Sequence, residues 1–441
     1  MQNVFKGERN VTHERGLFYG KKQRENETFG KFHAQSSAFV GRCDFANAAG
    51  NKNRIVEYSE VESDKDEESE WAVVGREGEA EKTAASGANE PSGTDKEQTP
   101  KIVGIKRKLE EEADFPVAFS LIVYRYFDQV EQLLSSIYRS HNLYCFHVDT
   151  SADSLFKEQM EALVSCFGDN VFLAPNPVNT AWARPTLLLS ELACMQELRR
   201  RSNKWKYLIN LTGEEFPLVT NLELVTILKK LNGSNLLGYM KQPTSIYGEL
   251  EGDQHKRLPK RLPKGMRPFK SSTHVVLTYD AVKFILEDRW AETLHKILQK
   301  QVFMNEEHFF ALLHYNVNIT HFPGSHWINE GASHPATQFE PRYKKWQVSK
   351  KSRCISGRIR HYICVVGART LPELVNTFYG TALYVNKFIW TFQSLSWDCM
   401  MTWHHSKVDQ ELKRGAVSSK FLEMMNADHS PILNIIHNNT R

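Results

Sequence analysis

The sequence predicts an α/β fold, a mostly parallel sheet flanked by helices, from three observations. Short and nearly unbroken apolar runs recur, helical periodicities separate them, and the two kinds of segment alternate strictly. PVAFSLIVYRY (116–126) has the pattern of a strand buried on both faces, as parallel strands are. DQVEQLLSSIYRS (128–140) has helical spacing, LYCFHVDT (143–150) is a second strand, and SLFKEQMEALVSCF (154–167) is a second helix. NVFLAP (170–175), RPTLLLSELACMQELRRR (184–201), WKYLINL (205–211), NLELVTILKKL (221–231) and NLLGYM (235–240) continue the series. Ligands of such sheets bind beyond the carboxyl ends of the strands, near a switch in strand order. HVDT (147–150) and NLTGEEFP (210–217), which close two of the strands, are therefore the segments to watch.

Around this region the composition is uneven. Residues 1–100 are polar and read as largely disordered, with an acidic linker over 57–97 that holds fourteen acids and four bases. The rest of the 441-residue chain carries 52 bases against 38 acids, a balance that suits an anionic partner. With 41% hydrophobic residues a sizeable core is available, and the folded domain is expected over 101–405, followed by a tail at 406–441. No signal peptide or spanning segment is visible, since MQNVFKGERNVTHERG is polar and no apolar run approaches the ~18 residues of a membrane helix. The chain reads as a soluble protein.

Seven cysteines without CxxC spacing argue against a zinc site and leave at least one thiol unpaired within the chain. There is no G-x-G-x-x-G and no P-loop, so a phosphate-bearing ligand requires basic side chains or a metal. The Asp-x-Asp triplet Asp64-Lys65-Asp66 falls inside the acidic linker and reads as a compositional accident.

NEEHFFALL (305–313) raises a sharper question. On a helix Glu307 shares its face with Phe303, Phe310 and Ala311, an apolar setting in which a carboxylate loses hydration. Glu306 and Glu307 read either as first-turn acids that complement a helix dipole or, for Glu307, as a catalytic base. Asp149 likewise reads as a ligand contact or as a cap of the next helix, a role for which Thr150 and Ser151 compete. HKRLPKRLPKGMRPFK (255–270) reads as a solvated loop near a cleft in preference to a nucleic-acid patch.

In order and spacing, DFPVAFSLIVY, HNLYCFHVD, WKYLINLTGEEFPL, NEEHFFALL, CISGRIRHYIC and VNKF resemble the core-2/I-branching β-1,6-N-acetylglucosaminyltransferases, from about Asp114 to Cys399. The resemblance implies a GT-A-like (Rossmann-like) fold with inverting, metal-independent chemistry. It implies transfer of N-acetylglucosamine from UDP-GlcNAc to the 6-hydroxyl of a galactose or N-acetylgalactosamine on a glycan. It implies no cofactor beyond that donor, a glycoprotein or glycan acceptor as partner, no nucleic acid, and a Golgi membrane or lumenal location. Under it Glu307 is the general base, while Arg360 and Lys387 neutralise the UDP leaving group in place of a metal. Asp149 contacts the uridine, Glu215 lies by the donor sugar, and Trp346 meets the acceptor. The disulfides implied are Cys145–Cys194, Cys354–Cys364 and Cys43–Cys399, with Cys166 left over, in an oxidising lumen.

Four positions depart from the family's pattern. The Cys354–Cys364 loop is one residue longer, so Arg358 competes with Arg360. Val348 stands where a tyrosine is expected, Ile389 where an acid is expected, and Glu215 where Asp is usual. A catalytically inactive glycan- or UDP-binding descendant of the same fold is the alternative. The chemistry explains the residue types. Direct displacement at the anomeric carbon needs a base for the attacking hydroxyl, and an Arg/Lys pair can stabilise a departing diphosphate as a divalent ion would.

Overall fold

The computed structural model describes residues 111–180, 184–238, 258–299, 304–326, 341–347, 354–378 and 382–426. Cys43, the acidic segment, Phe303 and Val348 lie outside them.

Strands β1 (Val117–Val123), β2 (Leu143–Val148), β3 (Val171–Leu173) and β4 (Tyr207–Thr212) run parallel. They alternate with helices α1 (Phe127–Ile137), α2 (Ser154–Ser165) and α3 (Thr186–Arg201). A short β5 (Glu215–Pro217) and helix α4 (Asn221–Leu231) follow. With β6 (Leu236–Leu237) and β7 (Val275–Thr278) the sheet has the order β3-β2-β1-β4-β7-β6. The expected α/β class, mostly parallel, is what the chain adopts. β7 is the exception: it runs antiparallel to β4, which puts its first residues beside the carboxyl end of β4.

Every residue of β1 is buried, and successive side chains serve opposite faces. Val117, Phe119, Leu121 and Val123 join Val130 and Leu134 of α1, Met160 of α2 and Leu228 of α4 in one core. Ala118 joins the other core with Leu188, Met195 and Leu198 of α3. Helices α5 (Tyr279–Glu287), α6 (Arg289–Gln299) and α7 (Asn305–Tyr315) complete that second layer. Each large aliphatic or aromatic side chain so buried contributes about 1.5–3 kcal/mol.

A smaller sheet, in the order β5-β11-β8, combines β5 with β11 (Tyr384–Asn386) and β8 (Arg342–Tyr343) over a third core containing Phe216, Phe388 and Trp397. The expected boundary at residue 405 falls inside helix α8 (Ser394–Arg414). Beyond it, Phe421 and Met425 of α9 (Ser419–Asn426) are wholly buried in the first core, so the fold continues to at least residue 426. The run 258–270 also differs from a solvated loop. Leu258, Leu262 and Met266 are packed in the second core, while the basic residue Lys260 and its neighbour Arg261 stay exposed.

Candidate active site

The strand order reverses between β1 and β4, and Arg125 and Glu214 bridge that crevice just past the two carboxyl ends. Glu214 gathers three cations: Arg125 Nη2 at 2.7 Å, Arg360 Nη1 at 2.6 Å and Lys387 Nζ at 3.2 Å. Arg360 also donates to the Tyr124 hydroxyl at 2.7 Å. Burial, and then the Glu214 charge, push that hydroxyl up to about 12, so it remains protonated at neutral pH.

Arg360 and Lys387, named from the sequence, are thus brought together. Arg360 ends β9 (Ile359–Arg360), which pairs with β10 (Ile363–Cys364) across the two-residue turn His361-Tyr362. Both turn residues have positive φ, 49° and 62°, the geometry of a tight I′-type hairpin. A Cys354–Cys364 disulfide ties its base. Arg358, the competitor, points away, with its guanidinium over the Phe392 ring at 5.4 Å. Lys387 follows β11. A wholly buried Gln129 donates to the carbonyls of Gly213 (2.6 Å) and Phe388 (2.8 Å), which clamps the turns before Glu214 and after Lys387 together. At Gly213 a Cβ would meet Val130 Cγ2 at 3.2 Å, so a larger residue there would have to push that methyl aside by a few tenths of an ångström.

Glu215 corrects an expectation. It is not open to a donor sugar: it is wholly buried, with Oε2 on Arg342 Nε at 2.6 Å and Oε1 on His274 Nε2 at 2.7 Å. Asn386 Nδ2 adds a third donor at 3.2 Å. Burial opposes ionisation of Glu215, but Arg342 above all outweighs it and holds the carboxyl down at about 2. Burial keeps His274 neutral, with its pKa pulled to about 3, so its Nε2–H serves as a hydrogen-bond donor. The network continues through Arg342 to the Asn210 carbonyl, and through the Asn210 amide to Glu191 at 3.1 Å. It forms a polar spine beneath the crevice.

Glu307 lies on the opposite flank of β4. The segment leading into β7 holds it there: Ser271 N–H donates to the Glu307 carbonyl at 2.8 Å, and the His308 ring donates to the Phe269 carbonyl at 3.0 Å. Its carboxylate pairs with Lys270 Nζ at 3.1 Å. Glu307 is partly exposed and Glu306 only 3% exposed, so the two acids sit in different surroundings. Burial, and then the Glu307 charge, raise the Glu306 carboxyl to about 8, which leaves it uncharged at neutral pH. The folded state then keeps a proton that the unfolded chain has lost, so this group's contribution to stability falls as pH rises from about 4.3 toward about 8. Glu306→Gln is expected to remove that dependence, read from denaturant midpoints across that range.

Asp149, 3% exposed, accepts from Ser151 N (2.7 Å) and Ser151 Oγ (2.7 Å) through one oxygen, and from Thr180 N (2.6 Å) and Thr180 Oγ1 through the other. Burial opposes its ionisation, but the Thr180 and Ser151 hydroxyls outweigh it and keep the carboxyl below its ordinary range. It is not the cap of α2, a role filled by Asp153, which accepts from Phe156 N at 2.7 Å. Trp346 is half-buried beside the Arg360 hairpin, bridged to Ile363. Ile389 is buried in the interior.

The expected Cys145–Cys194 disulfide is absent. Both are free and buried, with Cys194 Sγ donating to the Cys145 carbonyl at 3.4 Å. Burial, and then the Cys194 thiol, push the Cys145 thiol well above its ordinary range. Cys166 is free, and Cys399 is disulfide-bonded to a residue outside those described, where its expected partner Cys43 also lies.

Sequence reasoning missed Arg125, Gln129, Lys270, His274 and Arg342. Nothing local marks them, because their partners are up to 259 residues away. Among the described residues no three His, Cys, Asp or Glu side chains gather as a metal site, and no helix is long and apolar enough to cross a membrane.

Comparison with known proteins places the chain in a family. A family model described as the core-2/I-branching enzyme matches residues 117–375. A Mus musculus protein named beta-1,3-galactosyl-O-glycosyl-glycoprotein beta-1,6-N-acetylglucosaminyltransferase 4 is 32% identical over 63% of this chain and 63% of its own length. A Mus musculus N-acetyllactosaminide beta-1,6-N-acetylglucosaminyl-transferase is 32% identical over 66% of this chain and 73% of its own. Mouse xyloside xylosyltransferase 1, solved in its apo form, overlays 45% of this chain and 81% of its own at 12% identity, with a TM-score of 0.27, too loose to inform the fold.

Proposed function

The chain belongs to the core-2/I-branching enzyme family, and on that premise we propose that it is a glycosyltransferase that moves N-acetylglucosamine from UDP-GlcNAc to the 6-hydroxyl of a galactose or N-acetylgalactosamine on a glycan. The observation that carries this reading is the meeting of Arg360 and Lys387, separate in sequence, at the crevice where a parallel sheet takes its ligand. There they neutralise the charge developing on UDP, as a metal ion would elsewhere. Arg offers paired donors to phosphate oxygens and Lys a point charge. Glu307 takes the proton of the attacking hydroxyl, so that the sugar is displaced with inversion. Glu306, uncharged at neutral pH, leaves Glu307 as the charged member of the pair. Asp149 orders the loop beside the uridine, and Trp346 offers a ring face to the acceptor. Such chemistry on glycoprotein acceptors belongs in the Golgi lumen.

The test is product structure. Incubation with UDP-GlcNAc and a Galβ1,3GalNAc acceptor is expected to yield one new β-linked N-acetylglucosamine on a 6-hydroxyl, assigned by NMR. Transfer to another hydroxyl, or with α configuration, overturns the reading. Ile389, buried where the family's pattern has an acid, favours one alternative, a protein that binds UDP without turnover. UDP binding with no product on any branched-glycan acceptor decides for it.

A further inference from the structure

The cation cluster contains more than a leaving-group site requires. Arg125, Arg360 and Lys387 come from the end of β1, from the disulfide-tied hairpin and from the end of β11, and all three meet the side chain of Glu214. Arg125 contacts the same oxygen, Oε1, as Arg360, while Lys387 takes Oε2. The Glu214 side chain is only 7% exposed, while those of Arg125, Arg360 and Lys387 reach solvent on their outer sides. The backbone on either side is fixed independently: Phe388 N–H donates to the Glu214 carbonyl at 2.9 Å, and Gln129 holds Gly213. The backbone therefore need not move for the carboxylate to leave the cations.

We propose that Glu214 is the resident counter-ion of this site, exchanged for the diphosphate when a nucleotide donor binds, and that Arg125 is then a third cation on the diphosphate. This rests on the donor reading given above. The bland alternative is a structural ion-pair cluster in which Glu214 is needed to keep the cations in place. The two differ in sign. A carboxylate with two oxygens shared among three cations occupies the donors that phosphate oxygens would take, so the open form is only a fraction of the free protein. Apparent affinity falls by that fraction, and removing the competitor restores it. If the closed form holds nine molecules in ten, the gain is about tenfold. Under the structural alternative, removal scatters the cations and weakens binding.

Isothermal titration in EDTA at one low salt concentration, with UDP, inorganic pyrophosphate and uridine as probes, separates them. Glu214→Gln is expected to bind UDP and pyrophosphate about tenfold more tightly than the native chain and uridine equally well. Arg125→Met is expected to bind UDP and pyrophosphate about tenfold more weakly, with uridine again unchanged. Unchanged or weaker pyrophosphate binding by a folded Glu214→Gln, as judged by its melting curve, overturns the exchange. Should that variant not fold, the Arg125→Met arm decides alone: unchanged or tighter binding overturns the proposal. The readout is independent of catalysis. Binding that follows the expected pattern without any transfer sinks the transferase reading and leaves the exchange standing. Transfer with a Glu214→Gln that binds no tighter does the reverse. Failure of all three proteins to bind pyrophosphate overturns the exchange outright.

Discussion

Glu307→Gln is expected to lower turnover about 10²–10⁴-fold, the range a positioned general base supplies, while UDP binding stays within about twofold of native. The substitution keeps the side chain's size and removes its capacity to take a proton. Its setting explains the expected split. Glu307 is anchored through its own carbonyl to Ser271 and through His308 to Phe269, so the helix start does not depend on its carboxylate. The cations proposed to meet UDP lie on the other flank of β4, at the end of β1 and beyond β5. Turnover is measured from initial rates at saturating donor and acceptor, and UDP affinity by titration. An equal loss in both would assign Glu307 to donor binding. Retention of turnover would leave it an ordinary first-turn acid at a helix N-terminus.

Arg342→Met is expected to destabilise the fold by about 3–5 kcal/mol, because it leaves Glu215 as a buried carboxylate without its cation. Arg342 and Glu215 are wholly buried and contact at 2.6 Å. His274, held neutral, can donate a hydrogen bond but supplies no countercharge. The pH dependence follows from the depressed Glu215 carboxyl. In the unfolded chain it titrates near 4.3, and in the fold at about 2, so its contribution is present above about 4.3 and is lost as pH falls through about 2. In Arg342→Met that acid limb should vanish, and denaturant midpoints should fall at neutral pH. A midpoint equal to native at pH 7 would show that the pair contributes nothing. Glu215→Gln should also lower the midpoint, since its single carbonyl oxygen cannot replace both carboxylate oxygens that meet His274 and Arg342, and the buried guanidinium loses its countercharge.

Much of the architecture was legible in the sequence because strands buried on both faces, such as β1, write themselves as apolar runs, and amphipathic helices such as α1 write themselves as periodic ones. The positions of Arg360 and Lys387 were legible only through motif spacing, and their meeting at Glu214 required the fold. Three features escaped for physical reasons. β7 is a short apolar segment whose direction no local pattern encodes. The Arg342–Glu215 pair spans 127 residues, so neither member looks buried from its neighbours. The basic run 258–270 hides Leu258, Leu262 and Met266 at helix-like spacing, and long cationic side chains mask apolar positions in composition. A similar spacing, Val417, Phe421 and Met425, goes unread in the stretch expected to be a tail, 406–441, although all three are buried in the first core. Cys145 and Cys194 were placed correctly as neighbours, and in the structure both are free thiols.

The central claim is that protein cations perform at the leaving group the task that a metal ion performs in many sugar-nucleotide transferases. The most direct measurement is the initial rate of N-acetylglucosamine transfer from UDP-GlcNAc to a Galβ1,3GalNAc acceptor in excess EDTA, repeated after manganese is added back, for the native chain and for Lys387→Met. The expected result is full native activity in EDTA, no gain from manganese, and a loss of about 10²–10³-fold in the variant. Native activity that disappears in EDTA and returns with manganese contradicts the account.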